Sequence, residues 1–290
     1  MPSYDLRTLW VLDNSGNDVI PIDPVTSKPG KPIPVTDPYN LYFTPDGSDA
    51  IVVAEAERRL DLRDPQTMAL RRSIALPDCA GVNHIDYPAD YSYLIATCEF
   101  NGQLAKVDFR SGHLLATLQL PPDVDGTAAM PQDIRVGPDG TTFFVADMTR
   151  GGLYVIDGTS FAVTGFIPTG IGAHGIYPSR DDRTLYVSNR GSRAMTGSRH
   201  GAGSLALVDP NSRTVTATWA VPHGGSPDMG NFSTDGTQLW LSGRFDDEVY
   251  IFDLVAGRFD ARIKVGHGPH GLTYWPQPGR FSLGHTGNMR

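Results

Sequence analysis

Four histidines sit in short polar or glycine-flanked runs: His84 in Val-Asn-His-Ile-Asp, His174 in Ala-His-Gly, His270 in Pro-His-Gly and His285 in Leu-Gly-His. Neutral imidazoles beside carboxylates are good ligands for copper, zinc or iron, so this set predicts a transition-metal site if the fold brings the runs together. Glu99, Asp133 and Asp228 are candidate general bases, and with Asn83, Gln132 and Arg190 they are candidate contacts for a bound ligand. There is no His-x-His or His-x-x-x-His pair, so any convergence has to come from topology. The only cysteines are Cys79 and Cys98. Three readings of them stay open: a disulfide, two free thiols, or thiolate ligands beside His84.

Other chemistries are missing from the chain. It has no Gly-x-Ser-x-Gly elbow, no Walker loop and no dinucleotide fingerprint. A net charge of −8 argues against a nucleic-acid partner, because phosphate contacts need a basic surface. No apolar run approaches the ~18 residues of a membrane span, and Met1-Pro-Ser-Tyr-Asp lacks the features of a signal peptide. Location is left unassigned by these observations.

The elements that must position the histidines are written in a repeat. Apolar strands start at Leu9, Ala50, Leu94, Phe143, Leu185, Leu239 and Phe281, at spacings of 41, 44, 49, 42, 54 and 42 residues. An aspartate lies four residues before each of the first six (Asp5, Asp46, Asp90, Asp139, Asp181, Asp235). A second aspartate ends a following strand at Asp23, Asp64, Asp108, Asp157, Asp209 and Asp253. A period of roughly 40–50 residues made only of strands is the mark of propeller blades, each with four strands a to d. Residues 1–290 therefore read as one β-propeller domain, all-β.

In a propeller, strand a lines the central channel, and the d–a and b–c loops share one face. Seven of the eight histidines fall on that face, with only His113 on the other. The residues seven before the turn aspartate are Tyr39, Asn83, Gln132, His174 and Asp228, with His270 in the corresponding place of the last repeat. The next column holds Asn40, His84, Asp133, Gly175, Met229 and Gly271. A polar, metal-capable ring at the channel mouth is the expectation, with strand alternation turning His84 differently from His174 and His270. The extra residues between Arg190 and Ser204, basic and glycine-rich, read as a lid bringing Arg190, Arg193, Arg199 and His200 over an anionic ligand. Asp123-Val-Asp125-Gly is a short match to a calcium loop.

Leu185-Tyr-Val-Ser-Asn, the Val/Ile-Asp strand ends and Gly268-Pro-His-Gly resemble the YVTN-repeat β-propellers, the YncE-like group. The resemblance covers essentially the whole chain. It implies a propeller from a group mostly secreted or periplasmic, with related superfamilies that include quinoprotein heavy chains, lactonases and copper enzymes. Counting strands gives six a, seven b, six c and six d, so the expectation is a seven-bladed ring lacking an N-terminal c–d–a segment. The alternative is six blades, closed by pairing the N-terminal strands with the C-terminal a strand. The expected function is binding of a small molecule or protein partner at the His-rich mouth. The alternatives are a metal-dependent redox or lyase-type enzyme and a lactonase-like hydrolase at the same place.

Overall fold

The computed structural model describes residues 1–285 and residue 288. It contains six sheets of four antiparallel strands and no helix among the described residues. Blade one comprises Leu9–Asp13, Asp18–Asp23 and the short pieces Lys28–Pro29 and Ile33–Pro34, which both pair with Asp18–Asp23. Pro2 bridges to Leu9 at its inner side. Blades two to six begin with the inner strands Asn40–Phe43, Val82–Asp86, Pro131–Val136, Ala173–Pro178 and Pro227–Phe232. Each then runs outward in chain order.

Both sets of repeating aspartates are turn closures. Asp139 accepts backbone N–H groups of Thr141 and Thr142 at 2.9 and 2.8 Å, and Asp157 those of Thr159 and Ser160 at 2.9 and 2.7 Å. The same carboxylate-to-backbone bonding recurs at Asp46, Asp90, Asp181 and Asp235. An aspartate that bonds its own chain two or three residues on holds the turn without help from elsewhere.

Alternation explains why the second strands read as unbroken apolar runs. Phe143 and Val145 enter the core shared with blade three, while Phe144 and Ala146 enter the core shared with blade five. A strand covered on both faces has no polar side to show. Five such cores join blades one to six in order.

Six blades overturn the seven-bladed expectation. Phe281 starts no seventh strand, and the stretch around His270 forms no ladder. Instead the His270 carbonyl accepts the Ser242 hydroxyl, and Gly284 bridges to Tyr42 on the inner strand of blade two. Phe281 stacks on Tyr4 at 5.0 Å, and Leu283 is buried in the core between blades two and three. The physical reason is composition. Pro269, Pro276 and Pro278 bring no backbone donors, so this segment cannot supply an unbroken ladder. The closure expected for six blades differs too, since the C-terminal segment forms no strand ladder with the N-terminal strands: it bonds blade two through Phe43 N–H to Leu283 and His285 N–H to Leu41, and touches the N-terminus through the Ser282 N–H on the Tyr4 carbonyl.

Candidate functional site

In blades three to six, the inner strand carries one extra residue relative to its partner. Val82 faces Cys98 and Ile85 faces Ala96; the same shift separates Pro131 from Ile134, Ala173 from Ile176 and Pro227 from Gly230. These are β-bulges, and they fall on Asn83-His84, Gln132-Asp133, His174-Gly175 and Asp228-Met229. A bulge breaks strict alternation and re-aims side chains, which is why His84 joins His174 at the axis despite lying one column away in sequence. Hydroxyls on the neighbouring strand satisfy the disturbed backbone: Thr97 accepts the His84 N–H at 3.0 Å, Ser188 that of Gly175 at 2.9 Å and Ser242 that of Met229 at 3.2 Å.

The upper layer of the axis is a chain of amides and carboxylates. Asn40 donates to the Asn83 side-chain oxygen at 3.1 Å, and Asn83 and Gln132 donate to the two oxygens of Glu99 at 2.8 and 3.0 Å. Blades two, three and four are thereby laced together. Beside Glu99, burial pushes the half-buried Glu55 carboxyl up to about 8, with Glu99 and Asp37 adding to the rise.

Asp228 is the hub on the other side. It accepts Arg190 Nε at 2.8 Å, His174 Nδ1 at 3.0 Å and His270 Nδ1 at 2.7 Å. Burial alone would raise this carboxyl, but Arg190, His174 and His270 outweigh it and hold it well below the usual range. Arg190 Nη2 lies 2.7 Å from His174 Nε2, so the imidazole is neutral, donating from Nδ1 and accepting at Nε2. Burial and the Arg190 charge together lower its pKa to about 3. Arg190, 1% exposed, is thus an axial cation and no part of a lid.

The four predicted metal histidines do come together. Ring centroids lie 4.6 Å apart for His285–His84, 6.3 Å for His84–His174 and 5.7 Å for His174–His270. Four of their eight nitrogens are engaged: His84 Nδ1 lies 3.2 Å from the Tyr42 hydroxyl and 3.5 Å from Asp133, His174 uses both nitrogens, and His270 Nδ1 lies on Asp228. His285 Nε2 is buried without a partner. Among the described residues no three His, Cys, Asp or Glu side chains are grouped to hold one metal ion. The donor set gathers as a row and does not form a coordination sphere.

Asp133 accepts the backbone N–H groups of Ile134 and, in the next blade, Ile176, each at 2.9 Å, and pairs with Arg135 at 3.0 Å. Burial nevertheless raises its pKa to about 6. Its oxygens are already held by these partners.

Cys79 and Cys98 are joined as a disulfide, with Cα atoms 4.9 Å apart. The insertion is tethered: Arg193 pairs with Asp123 at 3.4 Å, Arg199 with Asp247, and the His200 N–H with Asp246. Asp125 closes a turn on Thr127.

A lower axial ring went unread in the sequence: Tyr42, Asp86, Arg135, Tyr177 and Asn231. The signal was available, since each stands four residues before its turn aspartate. Asp86, Arg135 and Asn231 line a cavity of ≈580 Å³ that lies among the a–b turns, on the face opposite the expected mouth.

Six blades around a buried polar axis define a β-propeller whose inner strands present side chains to a central channel. The chain belongs to the YncE-like β-propeller family, whose model matches residues 5–278. No curated protein matches it in sequence. Among solved structures it is similar to Kuenenia stuttgartiensis hydrazine synthase, with a TM-score of 0.75 and 18% identity over 92% of this chain and 86% of that one. It is also similar to the Cps50 (Swd1) β-propeller domain of Myceliophteria thermophila, with a TM-score of 0.66 and 15% identity over 94% and 90% of the two chains. At these identities the likeness carries the fold alone.

Proposed function

We propose that this protein is a binding propeller, acting as one domain, that takes a small molecule or a partner's side chain at the axial channel. The observation that carries the reading is the pairing of a preformed polar axis with an open cavity. Asn83, Glu99, Gln132, Asp133, Arg190 and Asp228 are all buried and bonded to one another or to neighbouring blades. They form a rigid axial core, and the ≈580 Å³ cavity beyond it, lined by Asp86, Arg135 and Asn231, lies within the range of about 300–1,000 Å³ typical of small-molecule sites. Such a wall suits recognition, where side chains are fixed before the ligand arrives.

The test is a thermal-shift screen of small metabolites on purified protein, with elemental analysis alongside a His174→Ala/His270→Ala double variant. A ligand that binds only the folded state raises the melting temperature, with a stabilisation that grows as RT ln(1 + L/Kd), where L is its free concentration. The expected result is such a ligand and no stoichiometric metal. About one copper, zinc or iron per chain, lost in the folded double variant, would replace this reading with a metal-dependent enzyme.

A further inference from the structure

The residue directly after the second strand of each blade holds one place in the repeat: Asn14, Glu55, Glu99, Met148, Arg190 and Arg244. Equal places in a repeat turn the same way, and two of the six show which way. Glu99 takes the axial Asn83 and Gln132, and Arg190 bonds the axial Asp228 and His174. The column therefore rims the channel mouth. Four of its members are occupied, since Asn14 donates to Asp37 at 3.2 Å and Arg190 Nη1 donates to the Met148 sulfur at 3.4 Å. Glu55 and Arg244, both half-buried, have no hydrogen-bond or ion-pair partner for their side chains among the described residues.

The two unmatched groups have opposite signs and share one space. The Arg244 charge acts on the Glu55 carboxyl, and the Tyr39 hydroxyl lies in the field of both, together with Glu99 and Arg190. Acids thus come from blades two and three, bases from blades five and six, and Tyr39 stands among them. Phe245, next after Arg244, puts its ring 6.0 Å from the Arg190 guanidinium and gives the mouth an apolar edge. A lone cation at Glu55 would be repelled by Arg244, and a lone anion on Arg244 by Glu55 and Glu99. A molecule that carries both signs gives each half-buried group the counter-charge it lacks.

Resting on the reading of this chain as a binding propeller, we propose that the channel mouth binds a small zwitterion, an ammonium carboxylate of the amino-acid class. Its carboxylate pairs with Arg244 and its ammonium with Glu55. Burial, then Glu99 and Asp37, hold the free Glu55 carboxyl at about 8, so it carries a proton at neutral pH. The arriving ammonium favours the ionised form, and binding releases that proton.

Isothermal titration of the full chain tests this with γ-aminobutyrate, its single-charge analogues butylamine and butyrate, and the shorter and longer zwitterions glycine and ε-aminohexanoate. The best zwitterion is expected to bind about 10-fold tighter than either single-charge analogue. At neutral pH its apparent heat should differ between two buffers of different ionisation enthalpy, by the heat of one proton taken up by the buffer. Glu55→Gln should remove the 10-fold margin and the proton release while leaving butyrate no weaker. Arg244→Gln should remove the same margin while leaving butylamine no weaker. Neither side chain makes a bond that folding depends on, and a variant weakened only by misfolding would not split the probes in this way. Butylamine or butyrate binding as tightly as the best zwitterion would overturn the zwitterion assignment and leave the binding reading intact, as would zwitterion binding that both variants retain. No binding by any probe would overturn the inference, and the binding reading falls with it only if the metabolite screen is also empty.

Discussion

The aspartates at the blade turns and the aspartates on the axis share a side chain and little else. Asp64 is partly exposed and Asp235 exposed, and hydrogen bonds, first of all from their own turns, hold their pKa values at about 2. Asp133 and Asp228 are fully buried, and their environments push them in opposite directions, one up to about 6 and the other well down. Turn carboxylates bond residues two or three positions away in sequence. Axial carboxylates bond residues about 40 positions away, in the next blade or beyond, as Asp133 does with Ile176 and Asp228 with His270. The repeating aspartate builds the scaffold, and the aspartate that departs from the repeat builds the site.

The strongest way to break that contrast is Asp228→Ala. Removing the hub leaves the Arg190 guanidinium buried beside neutral His174 with no counter-charge. Stripping one partner from a buried ion pair costs about 3–5 kcal/mol. Urea denaturation should show a loss of that size. A loss under about 1 kcal/mol would mean that the axis relaxes around the missing charge.

The disulfide sharpens the comparison from a neighbouring blade. Cys98 faces Val82, the residue before the axial Asn83-His84 bulge, so the Cys79–Cys98 link braces the inner strand of blade three. It spans a sequence separation of 19, and closing a loop of that order is worth about 3 kcal/mol in the chain-entropy account. A Cys79→Ser/Cys98→Ser variant should lose about that much in chemical denaturation. It should also shift the His84 ring resonances while leaving the turn residues of blades five and six unmoved. Shifts spread evenly over all six blades would contradict a local bracing role.

The same division explains what could be read in the sequence. Turn aspartates and two-faced apolar strands recur at a fixed period because each blade solves the same local problem, so Asp139 and Phe143 announced the fold. The column seven before the turn gave Asn83, Gln132, His174 and Asp228 as axial residues, because strand direction follows from the repeat. The bulges could not be seen, since one extra residue in a strand leaves the period unchanged. Hence alternation alone sets His84 out of line with His174; the ring from Tyr42 to Asn231, four residues before each turn aspartate, is legible in the repeat, whereas the burial of Arg190 beyond the end of its strand is not. The blade count failed for another reason: Phe281-Ser-Leu has a strand's composition, but pairing depends on a partner strand that local composition does not record.

Acid separates the two regions by where each loses stability. Burial, first among the causes, lowers the pKa of His84, His174 and His285, with His174 at about 3. The unfolded chain binds these protons below about 6.5, so as pH falls from there the unfolded state gains protons the native state refuses. Each such histidine then destabilises the fold by up to about 1.4 kcal/mol per pH unit. Asp133, raised to about 6, has the opposite sign, and its contribution is lost as pH rises through that value. The turn aspartates act only as pH drops through the usual carboxylate range toward about 2, the value for Asp64 and Asp235. NMR should find the three buried imidazoles untitrated between pH 8 and pH 5. Against wild type, folded His174→Gln should lose less stability over that interval. A His174 that titrates near 6.5 would remove it from the closed axial network.

The smallest expected effect falls on the turns. In Asp139→Ala the lost partners are the N–H groups of Thr141 and Thr142 and the Thr142 hydroxyl, at 2.9, 2.8 and 2.6 Å. The turn is exposed, so water replaces each bond, whereas no water reaches the fully buried carboxylate of Asp228. The net worth of a hydrogen bond to solvent-accessible groups is about 1 kcal/mol or less, and screening trims the charge contribution further. Gly140 in the left-handed region keeps the turn geometry available without the aspartate. A denaturation midpoint displaced by no more than that amount fits a scaffold carboxylate whose role is shared with its counterparts in the other blades. A loss matching that of Asp228→Ala would show that the turn, too, depends on contacts beyond its own residues, and the distinction between repeating and departing aspartates would no longer separate scaffold from site.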